Sequence, residues 1–263
     1  MNTQENLLNN SPVFTSKEYQ DEFKEINTKS TVRTKIGRLL KKGRMGTMGG
    51  GIYFVIPQGY DVKSYTPDKF LAASKMREDA VIGYHSAFEL LGYATQVFNT
   101  VYYITSLQKQ MKSFRGVTYL SVSVQRPLQG RASFGIEKIA RDKVRVAVTN
   151  KERTLIDCLD RLEYSGGFEE LCHCAEALPY LDLDFVFEYL SVLSKKSLFA
   201  KAGYLLEKYK DKFFFDEKWV KRFISERFKS PSIAYLGSRS DDNKLIARWN
   251  LMVPKKYLVE SER

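Results

Sequence analysis

No stretch of this 263-residue sequence approaches the run of about 18 apolar residues that a membrane-crossing helix needs. A transmembrane helix is therefore ruled out. The opening residues, MNTQENLLNN, are polar and lack the apolar core of an export signal. Cysteine is scarce: there are three, an odd number without framework spacing. That usage fits a reducing cytosol, so the expectation is a cytoplasmic protein with no membrane partner. Acidic residues are missing from one place in particular, since residues 29–60 carry seven Lys/Arg and no Asp or Glu.

What is present is an ordinary globular balance. Hydrophobic residues make up 43% and charged residues 28%, and 17 Phe with 16 Tyr are ample for a packed core. The net charge of +11 is unevenly spread: +4 over residues 1–60, +6 over 61–150 and +1 over 151–263. A local excess of that kind suits a polyanion such as nucleic acid.

The N-terminal segment gives the excess a shape. Thr15 with Glu18 forms a capping box, and Phe14 and Tyr19 occupy the staple positions, so a helix starts here and runs to about Phe23 or Lys24. A second helix spans roughly Lys29 to Lys42 and stops at Gly43. Its stripe is Val32, Ile36, Leu39 and Leu40. The opposite side carries Ser30, Thr31, Thr34, Arg38 and Lys41, with Lys35, Lys42, Arg33 and Arg44 on its flanks. Short hydroxyls for base edges and long cations for phosphates are the dress of a recognition helix. The glycine-rich stretch after it, with Ile52 to Ile56 as a strand, makes a small hairpin whose tip runs from Thr47 to Gly50. Helix pair plus hairpin reads as a winged helix-turn-helix. A nucleotide phosphate loop does not fit, because it runs strand, loop, helix and carries a Lys-Ser/Thr pair. The expected DNA-contacting residues are thus Ser30, Thr31, Arg33, Thr34, Lys35, Arg38, Lys41, Lys42, Arg44 and Thr47.

A turn-rich stretch, residues 59–69, marks the expected end of a first domain at residue 60. Short helices follow at Phe70–Met76 and Val81–Gly92. Strands fit Val101–Thr105, Val117–Val122 and Val144–Val148, separated by basic loops at Lys109–Arg115 and Arg126–Arg131. From Thr149 the chain turns helical, with helices at 149–162, 168–178, 184–193, 196–209 and 219–228. A last hairpin joins Ile233–Leu236 to Leu245–Val253. The fold class is therefore α+β: a winged helix-turn-helix over residues 1–60, then a second domain over 61–263. That second domain holds a mixed α/β part (97–148), a helical part (149–228) and the hairpin (233–253).

Chemistry-bearing residues are few in the second half. Asp157 and Asp160 share a helix face, but Arg153 and Arg161 each stand four residues from Asp157, so ion pairs account for them. Cys172-His173-Cys174 has neighbours pointing in different directions, against the spacing of a zinc site, so these cysteines and Cys158 are read as apolar fillers. His85 lacks a patterned Ser, Asp or Cys partner. No catalytic residue, metal site or cofactor is expected.

Four elements, in order, carry a resemblance. They are Gly43-Arg44 with Gly51-Ile52-Tyr53; Tyr84-His85-Ser86-Ala87-Phe88-Glu89-Leu90-Leu91-Gly92; the run Val148-Thr149-Asn150-Lys151-Glu152-Arg153-Thr154-Leu155-Ile156-Asp157-Cys158-Leu159-Asp160-Arg161 with Ser165-Gly166-Gly167; and Lys201-Ala202-Gly203-Tyr204-Leu205-Leu206-Glu207. Together, over roughly residues 12–253, they resemble the AbiEi abortive-infection antitoxin family. Ala202 stands where that family usually has Leu. The resemblance implies the antitoxin of a type IV toxin–antitoxin system. Such a protein binds inverted repeats in its own promoter through the winged helix and represses the operon. The remainder antagonises a toxin resembling a nucleotidyltransferase. Two alternatives remain at this level: a stand-alone regulator whose C-terminal part senses a small molecule, and a nuclease-like enzyme. The second is disfavoured because the expected strands hold no Asp or Glu.

Overall fold

A computed structural model describes residues 10–22, 29–131, 133–240 and 242–258, and in the helix that begins at Lys29 it describes side chains from Val32 onward. The fold is α+β, with three sheets among the described residues. The chain divides into two compact units. One comprises residues 1–82, 98–123 and 137–148, the other residues 83–97, 124–136 and 149–263. The N-terminal helices and hairpin belong to the same unit as the central sheet. No described helix is long and apolar enough to cross a membrane.

The first unit opens with strand β1 (Val13–Thr15) and helix α1 (Ser16–Glu22). Both halves of the capping box form: the Glu18 amide donates to Thr15 Oγ1 at 3.1 Å, and the Thr15 amide to Glu18 Oε2 at 2.8 Å. The staple closes too, with the Phe14 and Tyr19 rings 5.7 Å apart and fully buried. The expected end of this helix at Phe23 or Lys24 lies outside the described residues.

Helix α2 (Lys29–Lys41) lays Val32, Ile36 and Leu39 onto Phe14, Tyr19 and Met45, with Leu40 partly buried beside them. It ends because Gly43 takes φ +67°. In that left-handed state the Gly43 amide reaches Leu40 O at 3.0 Å and the Arg44 amide reaches Leu39 O at 3.1 Å, closing the last carbonyls of the helix. Strands β2 (Met45–Gly49) and β3 (Ile52–Val55) then form an antiparallel hairpin, and β1 pairs with β3 to give the order β1-β3-β2. The turn is Gly50-Gly51, both at positive φ, where only glycine is free of strain. Thr47 therefore sits within β2, not at the tip. Gly46 is required for another reason: a Cβ there would stand 2.1 Å from the Phe54 ring.

Beyond a turn-rich stretch, α3 (Lys69–Ser74) is capped by Asp68, whose carboxylate accepts the Phe70 and Leu71 amides at 2.9 Å. The central sheet has six strands: β4 (Val81–Ile82), β5 (Thr100–Thr105), β6 (Met111–Phe114), β7 (Val117–Ser123), β8 (Ile136–Arg141) and β9 (Val144–Thr149), in the order β6-β7-β5-β4-β9-β8. β5 runs parallel to β7 and β4 parallel to β9, while β4–β5 and β6–β7 are antiparallel. Three expectations change here. Val81–Ile82 is a strand, so the helix after it starts only at His85. Lys109–Arg115 is not a loop but contains the edge strand β6. β8 was not expected at all, and it carries an exposed acid, Glu137. Neither edge strand alternates polar and apolar residues or carries a β-branched run, so hydrogen bonding to β7 and β9 decides them, not local preference.

The second unit contains α4 (His85–Leu91), which stops at Gly92 with φ +82°. Helix α5 (Lys151–Asp160) follows, with Asn150 accepting the Arg153 amide at 2.9 Å as its N-cap. Helices α6 (Phe168–Ala177), α7 (Leu183–Leu193), α8 (Lys196–Lys208) and α10 (Glu217–Arg227) match the expected segments within two residues, and a short α9 (Lys210–Phe213) is added. Residues Arg126–Leu128, expected as a basic loop, form a 3-10 turn that buries Leu128. The C-terminal element is not a single hairpin between 233–236 and 245–253. It is a three-stranded sheet of β10 (Ala234–Tyr235), β11 (Asn243–Ile246) and β12 (Leu251–Pro254). There β11 pairs antiparallel and β10 parallel with β12.

Candidate functional site

The first candidate lies on α2 and its hairpin. Once the stripe of α2 is buried, the 100° step per residue turns the rest outward. Arg33, Thr34, Arg38, Lys41, Lys42, Arg44 and Thr47 are all exposed, and Lys35 is half-buried. The backbone of Ser30 and Thr31 belongs to α2, but their side chains lie outside those described. The helix gathers three exposed cations, Arg33, Arg38 and Lys41, and Lys42 and Arg44 follow its end, with no acid on the same helix. Arg38 and Lys41 stand in the last helical turn, where the carbonyl ends of the helix favour positive charge.

Thr47 differs from the others. Its hydroxyl donates to Ile52 O at 3.0 Å and accepts the Gly49 amide at 2.9 Å. It is engaged within the hairpin at the bulge between Thr47 and Gly49, so its part is to hold the turn. Sequence reading also missed Lys112 of β6, whose Nζ donates to Gly49 O at 2.8 Å. Met111-Lys112-Ser113-Phe114 has no polar–apolar alternation, so its sequence carries no strand signal.

Among the described residues of the second unit, two buried polar networks involve the chemistry-bearing residues read from the sequence. In one, His85 Nε2 lies 3.0 Å from Glu170 Oε1, both residues being 1% exposed. The same carboxylate accepts the Thr95 amide and hydroxyl at 3.2 and 2.8 Å, and the Gln96 amide at 3.2 Å. Burial alone would raise the Glu170 pKa, but the bonds from His85, Thr95 and Gln96 outweigh it and hold the carboxyl below its ordinary value. Cys174 Sγ stands 3.5 Å from Glu170 Oε1, so the three groups lie within 4.8 Å of one another. A nitrogen, an oxygen and a sulfur at that separation could hold a zinc-like ion. The carboxylate is, however, already committed to the loop at 95–96, and burial pushes the Cys174 thiol far above its usual range. The Cys172-His173-Cys174 run splits as its spacing implies, with both cysteines buried and the His173 side chain half-exposed.

In the other network, Arg153 Nε meets Asp157 Oδ2 at 3.3 Å, and Asp157 Oδ1 accepts the Tyr189 hydroxyl at 2.6 Å and Gln125 Nε2 at 3.2 Å. Arg161 lies instead against the Tyr164 ring, and Asp160 pairs with Lys195. The expected i,i+4 pair therefore forms on one side only. Asp157 and Arg153 are 1% and 3% exposed. A carboxylate so enclosed holds α5, α7 and the 125 loop together, and no substrate reaches it.

No protein-family model and no curated protein matches the chain. Among solved structures it is similar to the crystal structure of the RV2827C protein from Mycobacterium tuberculosis. The TM-score is 0.58 at 16% identity, over 95% of this chain and 89% of that one. At that identity the likeness concerns the fold.

Proposed function

We propose that residues 10–57 form a winged helix-turn-helix that binds duplex DNA, with α2 as the recognition helix and the β2–β3 hairpin as the wing. The observation that carries this reading is the dressing of α2. One stripe is buried on Phe14, Tyr19 and Met45, while Arg33, Arg38, Lys41, Lys42 and Arg44 stand outward without an acid among them. The order strand, helix, helix, hairpin, with β1 closing on β3, supports it. Following the resemblance to AbiEi antitoxins, the chain acts in the cytoplasm as the antitoxin of a type IV toxin–antitoxin pair. It represses its own operon at inverted repeats, and its remaining part antagonises a nucleotidyltransferase-like toxin.

The test is a triple substitution, Arg38→Ala, Lys41→Ala and Lys42→Ala, assayed on a duplex carrying the chain's own promoter. All three side chains are exposed, so the fold should survive, checked by circular dichroism. Each cation on a phosphate contributes about 0.9 to the slope of log K against log salt, so the variant should lose about 2.7 from that slope. Retention of the duplex at unchanged affinity would sink the assignment. The triple variant also separates the two roles better than deletion of residues 1–60, because that segment shares a unit with the central sheet. Co-expression with the neighbouring gene should show growth rescue by the variant even where repression is lost.

A further inference from the structure

The hairpin offered above as a wing has a weakness: from Met45 to Ile56 it holds no Lys or Arg. A wing lies along a phosphate backbone, and this one brings no charge of its own. The central sheet supplies what is missing. Lys112 Nζ, on edge strand β6, donates to Gly49 O at 2.8 Å. Glycine at the turn permits this approach, since a Cβ on Gly50 would stand 3.3 Å from that ammonium and one on Gly49 3.7 Å. An ammonium bound to one carbonyl keeps two further N–H donors for an anion.

Beside the turn lies a cleft of about 750 Å³, bordered by Ser16, Gly50 and Gly51 on one side and by Lys138 and Arg145 of β8 and β9 on another. Its lining holds five cations (Lys17, Lys75, Arg77, Lys138 and Arg145) against three acids, Glu18, Asp21 and Glu78. Two of the acids are taken, by the Lys17–Glu78 pair at 2.7 Å and the Lys75–Glu18 pair. Arg77 donates to Gln108 O at 3.0 Å. Lys138 and Arg145 are exposed and have no acidic partner among the described residues. The cleft therefore carries a net positive charge next to an uncharged hairpin tip.

We infer that the sheet provides the wing's phosphate contacts: Lys112 at the tip, with Lys138 and Arg145 in the adjoining cleft, bind the backbone of the same DNA duplex that α2 reads. This inference rests on the DNA-binding reading above and extends its footprint beyond residues 10–57. Phosphate contacts carry no sequence information, so these three residues set affinity and salt dependence and leave sequence preference alone.

The experiment uses the full chain and a random-sequence duplex of about 30 base pairs, with fluorescence anisotropy titrations between about 50 and 200 mM salt. The variants are Lys138→Gln with Arg145→Gln, and separately Lys112→Gln; melting curves check that each is folded. Losing two phosphate contacts should lower the salt slope by about 1.8, so the double variant's affinity falls about 12-fold less than wild type across that range. Lys112→Gln should lower it by about 0.9. The ratio of promoter to random-duplex affinity should stay as in wild type for both. An unchanged slope in the double variant, with wild type binding and the α2 triple variant losing about 2.7 from its slope, overturns this inference and leaves the DNA reading standing. No binding by wild type at the lowest salt overturns both.

Discussion

Replacing Glu170 with Ala should destabilise the second unit by about 3 kcal/mol, and the figure follows from the partners of one carboxylate. Glu170 accepts from His85 at 3.0 Å, from the Thr95 amide and hydroxyl at 3.2 and 2.8 Å, and from the Gln96 amide at 3.2 Å. Thr95 and Gln96 are exposed, so without the carboxylate their donors turn to water and cost only about 0.5 kcal/mol each. His85 is 1% exposed, so losing its bond to the carboxylate inside the fold adds about 1–3 kcal/mol. For a chain of this size about 3 kcal/mol corresponds to a melting shift of about 6–12 °C. Glu170→Gln keeps an acceptor oxygen and loses the charge, so it should fall about midway, because hydrogen bonds to charged groups contribute about twice as much as neutral ones. The pH dependence has a definite sign. The folded carboxyl lies below its ordinary value of 4.5, so its contribution is complete above that value and is lost as pH falls through the lower folded value. The gap between wild type and Glu170→Gln should therefore shrink below pH 4.5. Calorimetric or circular-dichroism melts over pH 3–7, a range bracketing ordinary carboxylate values (about 4), measure both effects. A Glu170→Ala melting point within about 2 °C of wild type would refute the reasoning.

Two further outcomes concern packing and charge. Gly46→Ala places a methyl 2.1 Å from the Phe54 ring and should cost about 1–3 kcal/mol by overpacking. The expected signature in hydrogen exchange is faster opening of the β2–β3 amides, and exchange at the wild-type rate would contradict the close approach. Asp157→Ala strands Arg153, which is 3% exposed, and should cost about 3–5 kcal/mol. Chemical denaturation reads that loss directly, and a change below about 1 kcal/mol would mean that Arg153 finds another partner.

Elements whose signals are local can be read from the residues alone. Thr15 with Glu18 dictates the start of α1, because a cap acts within one turn. Gly43 dictates the end of α2, because it alone accepts the left-handed backbone there. The stripe of Val32, Ile36 and Leu39 dictates which face of α2 is buried, and hence which cations face outward. The helices after residue 149 were legible for the same reason: each carries its own apolar period.

The remaining features depend on contacts between segments distant in the chain. Strands β6 and β8 have weak local preference and exist because β7 and β9 offer them backbone partners. The parallel pairing of β10 with β12 joins segments with β11 between them, which no periodicity encodes. His85 and Glu170 stand 85 residues apart, so a histidine that looked solitary is half of a buried pair. Lys112 looked like part of a solubilising loop, and the register of the sheet carries it to Gly49. Local chemistry fixes caps, stops and buried faces within a few residues. Which distant carboxylate or ammonium fills a given space depends on chain segments that meet only after folding.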